Sequence, residues 1–314
     1  MHLKILFRCD ATPQLGVGHL TRCRALAAEL SHQGAQCMMV GPSLQWQNQA
    51  DAKIFDHWVP LEWDELSERD AIRVTSMATR YGADFLVLDD MRINEKYQCT
   101  LVDKGWHWLQ FDGARGLPLW ADLVVNANPD AQPNYYAEKC KNLNANLLLG
   151  PSHAVIRKQF LKAASIRATK QSSHKILMLF GGGDDRGAIL KTLQILYPAL
   201  GKCTFEVVAG RQNPNHTGHQ EFMASLPKGR ARYHIDPSNL PELMTECQIA
   251  LLAGGTTTYE ANLLELPMVL ISIADNQIQQ AKAWDRHGQG VYLCDIESLD
   301  ADSLLNAVQE QLQF

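Results

Sequence analysis

The sequence has little of what would mark a membrane protein or a nucleic-acid-binding protein. Its longest apolar runs, around Ile249–Ala253 and Pro267–Ile273, are far shorter than the roughly 18 residues that a membrane-spanning helix needs. Positive charge is not in excess, because 29 Lys and Arg residues face 34 Asp and Glu residues, for a formal net charge of −5 without a cationic tail. We therefore expect neither nucleic acid nor stable membrane insertion, and the sequence leaves protein partners unspecified.

Paired cysteines and a targeting segment are also absent. The eight cysteines never reach C-x-x-C spacing, so neither a zinc site nor a redox motif is indicated, and we expect no metal and no cofactor. Arg8 and Asp10 interrupt the N-terminal apolar stretch before it reaches the length of a signal-peptide apolar region or a small-residue cleavage site, so a secretory signal peptide is not expected. These features predict a cytoplasmic protein with reduced, mostly buried thiols.

What the sequence has is an alternation of strand-like apolar runs and helical patterns, which is typical of parallel α/β layers. In the first half, helices are predicted at Leu20–Leu30 and Ala71–Tyr81. Strands are predicted at Leu3–Phe7, Gln36–Val40, Phe85–Leu88, Trp106–Phe111 and Leu123–Val125.

The pattern starts again after a Lys, Ser and Gln-rich stretch that ends near His174 and is typical of a linker. Strand Lys175–Phe180 leads into a glycine turn and a helix, and further strands are predicted at Thr204–Ala209, Ala231–His234, Ile249–Leu252 and Met268–Ile271. We therefore predict two Rossmann-like domains, residues 1–165 and 166–314, with a ligand-collecting cleft between them.

The first glycine turn carries a histidine where dinucleotide-binding turns keep small residues. Gly16 and Gly18 are followed by Thr21 rather than a third glycine, and no acidic residue closes the strand Gln36–Val40, so the pattern argues against NAD. His19 falls in the first turn of a helix, where the macrodipole favours the neutral imidazole, which can accept a proton from water. The alternative is a histidine bonded only to nearby backbone.

The stretch "LLAGGTTTYEANLLELP" predicts an anion site in the second half. A buried strand ends at Gly254 and Gly255, and Thr256 and Thr257 precede a helix whose first N–H groups lack intrahelical partners. Glu260, about one turn further, suits the hydroxyls of a ribose. The alternative is a capping box, in which Thr256 caps the helix and Glu260 reaches back to it.

Three further stretches lie at predicted strand ends. "ADNQ" places Asp275, Asn276 and Gln277 at a helix start, as ligands or as caps, and Gly182 in "LFGGGDD" permits close approach of backbone, although a plain tight turn explains it as well. The pair Asp89-Asp90 could bind a divalent metal, but no further ligand is spaced to complete a site, which favours a hydrogen-bonding role.

Seven segments, taken in order, resemble one known family. These are "LFRCDATPQLGVGHLTRCRALAAEL", "LLLGPSHAVIRKQF", "LFGGGDD", "VVAGRQNPN", "HIDPSNLPELM", "LLAGGTTTYEANLLELP" and "ADNQ". Their order and spacing are similar to those of the UDP-sugar hydrolases of pseudaminic-acid biosynthesis, relatives of the peptidoglycan N-acetylglucosaminyltransferase. The resemblance implies a two-domain GT-B fold and release of UDP from UDP-2,4-diacetamido-2,4,6-trideoxy-β-L-altropyranose.

The resemblance also implies roles for individual residues. His19 would position or deprotonate water, with Asp10 and Arg22 beside it, whereas Ile235 would offer its backbone to uracil and Glu260 would bind ribose. The remaining expected contacts with substrate are Gly16, Gly18 and Gly182, and, at the diphosphate, Gly254, Gly255, Thr256, Thr257, Asn276 and Gln277.

Two departures from the family pattern leave alternatives open. Where the family commonly reads D-H-Y-G, this chain reads Asp89-Asp90-Met91-Arg92, and His153 stands where the family has a tyrosine. The hexose is therefore not fixed, and transfer of an amino sugar from UDP to an acceptor, as in a GT-B glycosyltransferase, is the alternative to hydrolysis. A sugar-nucleotide-binding protein without catalysis would predict loss of the histidine, which is present.

Overall fold

The computed structural model describes residues 2–12, 16–113, 116–166, 174–227 and 229–312, and within them the chain forms two α/β units. The first consists of the described residues of Met1–Thr12 and His19–Val155, and the second of those of Pro13–Gly18 and Ile156–Phe314. The linker-like composition predicts a division near residue 165. The helix just before that point, Lys158–Ile166, belongs to the second unit. Most of the expected linker, residues 167–173, lies outside the described residues.

The first unit is built on a seven-stranded parallel sheet in the order β3-β2-β1-β4-β5-β6-β7. Short 3₁₀ helices lie at Leu44–Trp46, Asp51–Lys53 and Pro151–His153. Its helices are α1 (Gly18–His32), α2 (Ser67–Tyr81), α3 (Glu95–Asp103) and α4 (Pro133–Tyr136). Its strands are β1 (Lys4–Cys9), β2 (Gln36–Gly41), β3 (His57–Pro60), β4 (Phe85–Asp89), β5 (Trp108–Phe111), β6 (Leu123–Asn126) and β7 (Asn146–Leu149).

The second unit repeats the arrangement with six parallel strands in the order β10-β9-β8-β11-β12-β13. The strands are β8 (Lys175–Leu179), β9 (Thr204–Ala209), β10 (Ala231–Ile235), β11 (Ile249–Leu252), β12 (Met268–Ser272) and β13 (Val291–Asp295). The helices are α5 (Lys158–Ile166), α6 (Ala188–Ala199), α7 (His216–Ser225), α8 (Leu240–Glu246), α9 (Thr257–Leu263), α10 (Asp275–Arg286) and α11 (Ala301–Leu312).

Burial explains why the central strands form. Strands of a parallel sheet covered on both faces read as continuous apolar runs, and β11 (IALL) and β12 (MVLIS) are buried at every residue. Each unit has its own buried apolar cluster, which includes Leu6 and Val74 in the first and Leu251 and Leu193 in the second. The ten strands predicted from the sequence are all present, with ends shifted by no more than two residues.

Two further properties concern the whole chain. All eight cysteines are free thiols, and five of them are buried, as the composition predicted. No helix within the described ranges is both long and apolar enough to cross a membrane.

Candidate active site

The strand orders place one ligand-binding edge in each unit. In the first sheet the chain runs from β1 outward through β2 and β3 and then returns to the other side of β1 at β4. The second sheet reverses in the same way between β8 and β11. Ligands of open parallel sheets bind beyond the carboxyl ends of the strands at such reversals. Most of the predicted site residues lie near these two places, whereas Ile235 ends the edge strand β10.

At the reversal in the first unit, His19 is held by a carboxylate. His19 is the second residue of α1, and its Nδ1 lies 2.6 Å from Oδ1 of Asp89, the last residue of β4. Arg22, one helical turn after His19, donates from Nε to Oδ2 of Asp89 at 2.9 Å and from Nη2 to Oδ1 at 2.8 Å. The imidazole therefore has a side-chain partner, so the alternative of a histidine bonded only to backbone is wrong.

The charges in the triad of His19, Asp89 and Arg22 determine how the His19 imidazole is oriented. Burial alone would raise the pKa of Asp89, but the nearby Arg22 and His19 lower that pKa to about 2, so the carboxylate is ionised at neutral pH. An ionised carboxylate only accepts hydrogen bonds, so the 2.6 Å contact with Asp89 requires a proton on Nδ1; Nη2 of Arg22 lies 3.1 Å from the same nitrogen and donates to Oδ1 of Asp89 at 2.8 Å instead. That leaves Nε2 with a lone pair that can accept a proton.

Asp10 lies near this triad in the fold but bonds elsewhere. Cys9 of β1 pairs with Asp89 of β4, so Asp10 and Asp90 follow side by side at the carboxyl ends of the two strands. The Asp10 carboxylate accepts from Nη2 of Arg92 at 2.7 Å and from the backbone N–H of Ala11. No hydrogen bond joins Asp10 to His19 within the described part of the chain.

Hydrogen bonds from polar side chains that the local sequence pattern does not indicate hold the glycine turn after β11 in place. A Cβ on Gly254 would meet the backbone carbonyl of Gln277, so the turn packs directly on the start of α10. Thr258, which is fully buried, donates to the carbonyl of Gly255 at 2.7 Å and accepts from the indole of Trp284 at 2.9 Å. The turn and the start of α10 thus form one rigid edge.

Two further predicted diphosphate residues lie at the start of α10. Ala274 stands at the N-cap position without a side-chain cap, and Asn276 is the second residue of the helix. The side chain of Gln277 accepts from the backbone N–H of Ile273 at 2.9 Å, which fixes the strand-to-helix connection. The first N–H groups of α10 have no partners inside the helix, as at any helix start.

Glu260 does not form the capping box that its spacing allowed. Thr256 makes no side-chain cap at the start of α9. Both carboxylate oxygens of Glu260 instead accept from Arg157, at 2.6 Å from Nε and 2.7 Å from Nη2. The Glu260 side chain is only 6% exposed, and Arg157 comes from the segment just before α5, so the sequence spacing around Glu260 could not reveal this partner.

Ile235 ends β10, which is an edge strand of the second sheet. Arg230 and Asp236 direct their backbone groups toward β9, because the carbonyl of Arg230 accepts from Phe205 and the N–H of Asp236 donates to Ala209. Backbone groups alternate in direction along a strand, so the N–H and C=O of Ile235 point away from the sheet. That orientation is what a hydrogen-bonding base would need.

The remaining predicted glycines lie in turns or at a helix start. Gly16 has a φ of +73°, in the left-handed region that favours glycine, and Gly18 is the first residue of α1. Gly182 follows β8, and a Cβ on Gly210 would strike its backbone, so the loops after β8 and β9 touch. Buried Asp185 ties these loops together by accepting from Asn213 at 3.0 Å and Asn215 at 2.7 Å.

Asp89 and Asp90 each form ion pairs or hydrogen bonds with neighbouring basic side chains. Asp89 binds Arg22 and His19, and Asp90 binds Arg92 at 2.6 Å from Nη2 and 2.8 Å from Nε. Within the described ranges, no three His, Cys, Asp or Glu side chains are grouped so that they could hold a metal ion. His153 is exposed in its 3₁₀ helix.

Comparison with curated proteins supports the resemblance seen in the motifs. The chain is 25% identical over 276 residues to the UDP-2,4-diacetamido-2,4,6-trideoxy-beta-L-altropyranose hydrolase of Campylobacter jejuni, covering 88% of this chain and 93% of that protein. It is 22% identical over 303 residues to the spore coat polysaccharide biosynthesis protein SpsG of Bacillus subtilis, covering 93% and 84%. No model of a known protein family matches the chain.

Solved structures confirm the predicted fold. The spinosyn rhamnosyltransferase SpnG with spinosyn aglycone matches with a TM-score of 0.69 at 12% identity, covering 99% of this chain and 92% of that one. MurG of Acinetobacter baumannii matches with a TM-score of 0.62 at 13% identity, covering 98% and 89%. The chain therefore has the two-domain fold of the GT-B glycosyltransferases.

Proposed function

We propose that this chain is a UDP-sugar hydrolase that releases UDP from a UDP-linked diacetamido-trideoxyhexose in the biosynthesis of a pseudaminic-type nonulosonic acid. The observation that carries the proposal is the buried carboxylate of Asp89 bonded to Nδ1 of His19, an arrangement suited to a general base. The name of the Campylobacter jejuni relative, similar across most of both chains, supports the substrate class.

In this mechanism His19 acts on water. Nε2 takes a proton from a water molecule as the water oxygen forms a bond to the anomeric carbon, and the bond from that carbon to the diphosphate oxygen breaks with its electron pair leaving on UDP. Asp89 stabilises the imidazolium that forms, and Arg22 keeps the Asp89 carboxylate in place. General-base assistance of this kind typically contributes about 10²- to 10⁴-fold in rate.

The second unit would hold the nucleotide. The backbone of Ile235 would pair with uracil, Glu260 with the ribose hydroxyls, and the turn Gly254–Thr257 with Asn276 and Gln277 would hold the diphosphate. Backbone N–H groups at a glycine turn and a helix start stabilise the charge that develops on a leaving diphosphate, so the reaction requires no metal ion. The proposed enzyme is cytoplasmic.

A glycosyltransferase that moves an amino sugar from UDP to an acceptor is the second candidate. The GT-B transferases SpnG and MurG share the fold, which supports it. The third candidate, a binding protein without catalysis, has no use for the His19–Asp89 pair.

One incubation separates the three candidates. We expect the purified chain, in EDTA, to release UDP from UDP-2,4-diacetamido-2,4,6-trideoxy-β-L-altropyranose without an acceptor and to leave the free amino sugar. Release only when an acceptor is added would select the transferase, and binding of the UDP-sugar without release would select the binding protein. Loss of turnover in EDTA that Mg²⁺ restores would contradict metal independence.

A further inference from the structure

A clamped arginine stands at the carboxyl edge of the first sheet, beside the His19–Asp89 pair. Arg92 follows Asp89 in the turn that leaves β4, and Asp10 and Asp90 extend the paired strands β1 and β4 at the same level. Neither His19 nor the proposed nucleotide contacts use this arginine. Its position at the reversal of the strand order is where a parallel sheet presents side chains to a ligand.

Three hydrogen bonds and an aromatic ring fix the Arg92 guanidinium. Nε and Nη2 bond both oxygens of Asp90 at 2.8 and 2.6 Å, and Nη2 also bonds Asp10 at 2.7 Å. The guanidinium carbon lies 4.4 Å from the centre of the Trp63 ring. A side chain held in this way loses little rotamer entropy when it binds a ligand, so it can contribute to specificity.

The clamp leaves one end of the guanidinium available. Nη1 has no hydrogen-bond partner among the described residues, and the Arg92 side chain is 33% exposed, against 3% for Asp90 and 13% for Asp10. A guanidinium only donates hydrogen bonds, so its ligand must offer an acceptor oxygen.

The charge around the clamp restricts which acceptor can approach. Arg8, whose guanidinium carbon lies 5.0 Å from the Trp63 ring centre, pairs with buried Asp70, so two guanidinium groups face the three carboxylates of Asp10, Asp70 and Asp90. Asp10 and Asp90 both accept from Arg92, so a carboxylate brought by a ligand to Nη1 would share that guanidinium with two others and be repelled by them, whereas an uncharged carbonyl or hydroxyl oxygen would not.

We propose that Arg92 is a specificity-determining residue: its Nη1 donates to an uncharged acceptor oxygen on the hexose, such as an acyl carbonyl, and the carboxylates that clamp it exclude hexoses that carry an acid group. This inference rests on the proposed function, because it assigns Arg92 to the sugar half of the same substrate. The turn after β4 would then determine which hexose the protein binds.

Calorimetry with three ligands tests the proposal without requiring turnover: UDP, UDP-N-acetylglucosamine as an uncharged acylated sugar, and UDP-glucuronic acid as an acidic one. To avoid hydrolysis, the variants are made in the His19→Asn background. We expect the acylated sugar nucleotide to bind more tightly than UDP, and the acidic one to bind no more tightly than UDP.

Arg92→Met should weaken binding of the acylated sugar nucleotide by about 10-fold or more, the range for a lost hydrogen bond to a charged group, while the Kd of UDP changes less than about twofold. Arg92→Lys keeps the charge but lacks Nη1, and it should lose most of the same preference. Lys96→Met is the matched control, since Lys96 is a 74%-exposed cation on α3, and it should change none of the three constants.

Two results overturn the inference while leaving the proposed function standing. One is UDP binding in which Arg92→Lys keeps the ratio between the acylated sugar nucleotide and UDP that the His19→Asn protein shows. The other is tighter binding of the acidic than of the acylated sugar nucleotide by the His19→Asn protein. Failure of the protein to bind UDP at all would instead refute the proposed function. Because Arg92→Lys keeps the cation in the clamp, it provides the test even if Arg92→Met does not fold.

Discussion

At the scale of single residues, the account depends on an ionised carboxylate behind His19. The pKa of Asp89 lies at about 2 because the charge of Arg22 and the interactions with His19 outweigh the effect of burial. An amide in place of the carboxylate could also face Nδ1 of His19, but it would offer no charge to stabilise the imidazolium. In the proposed mechanism Asp89 is therefore a positioning residue, and we expect its effect to appear in turnover.

We predict that Asp89→Asn lowers kcat for UDP release by about 10²-fold or more, within the range of general-base assistance. The Kd of UDP should stay within about twofold, because Asp89 and the proposed nucleotide contacts belong to different units. Steady-state kinetics and calorimetry provide the two measurements. Asp103→Asn, at the exposed end of α3, is the control and should leave both unchanged.

The same carboxylate makes a prediction about acid stability. Because the folded pKa of Asp89 is lowered from 3.8 to about 2, its stabilising contribution is complete above about pH 4 and is lost as the pH falls through about 2. The difference in free energy of unfolding between wild type and Asp89→Asn should therefore shrink across that window. A difference that stays constant down to pH 2 would mean that the charge on Asp89 contributes nothing.

Arg157 is the second residue on which the account depends. Its guanidinium occupies one side of each Glu260 oxygen and leaves the carboxylate further lone pairs for ribose hydroxyls. We predict that Arg157→Met weakens UDP binding by about 10-fold, since the nearly buried Glu260 carboxylate loses the partner that orients it. Calorimetry measures the change, and Lys162→Met, an exposed cation on α5, is the control.

If Arg157→Met bound UDP more tightly than wild type, the arginine would be a competitor that the ribose must displace. That outcome would reverse the role given to it here.

At the scale of secondary-structure elements, the glycine turn after β11 matters most. A Cβ at Gly254 would lie 2.5 Å from the Gln277 carbonyl oxygen and 3.1 Å from the Ala281 side chain, whereas a Cβ at Gly255 would meet nothing within 4 Å. We predict that Gly254→Ala lowers the free energy of unfolding by about 2 kcal/mol or more and that Gly255→Ala changes it by less than about 0.5 kcal/mol. Denaturant titration of both variants checks the contrast, and equal effects would contradict the packing of this turn on α10.

The three strands that the sequence did not predict share one property. Strands β3, β7 and β13 are all edge strands, and the first two have only four residues each, β3 with His57 and Pro60 at its ends and β7 beginning at Asn146. An edge strand is stabilised by pairing with a single neighbour, so its own apolar pattern is weak, whereas central strands such as β11 reveal themselves by continuous burial.

The same limit applies to the candidate site. The turns and helix starts that carry His19, Gly254 and Glu260 could be located from local patterns, since glycine and helix-start signals lie within a few residues. The partners could not, because His19 and Asp89 are 70 residues apart and Arg157 and Glu260 are 103 apart. Only the tertiary fold brings such pairs together.

At the scale of the whole molecule, the two units divide the proposed work between them. The second unit would determine which nucleotide binds, through the outward-facing backbone of Ile235 on the edge strand β10. A fixed N–H and C=O complement the edge of uracil and do not complement a purine in the same way. We predict that UDP binds at least about 10-fold more tightly than ADP or GDP, a difference of about 1.4 kcal/mol. Calorimetric equality among the three would contradict the proposed base contact.

The central claim is that His19 of the first unit acts as the general base and that nucleotide binding by the second unit does not depend on it. The most direct measurement is UDP release from UDP-2,4-diacetamido-2,4,6-trideoxy-β-L-altropyranose, without acceptor, by wild type and His19→Asn, alongside the Kd of UDP for each. The account predicts that kcat falls by about 10²- to 10⁴-fold while the Kd of UDP is nearly unchanged. Full kcat in His19→Asn, or a loss of turnover matched by an equal loss of UDP affinity, would contradict it.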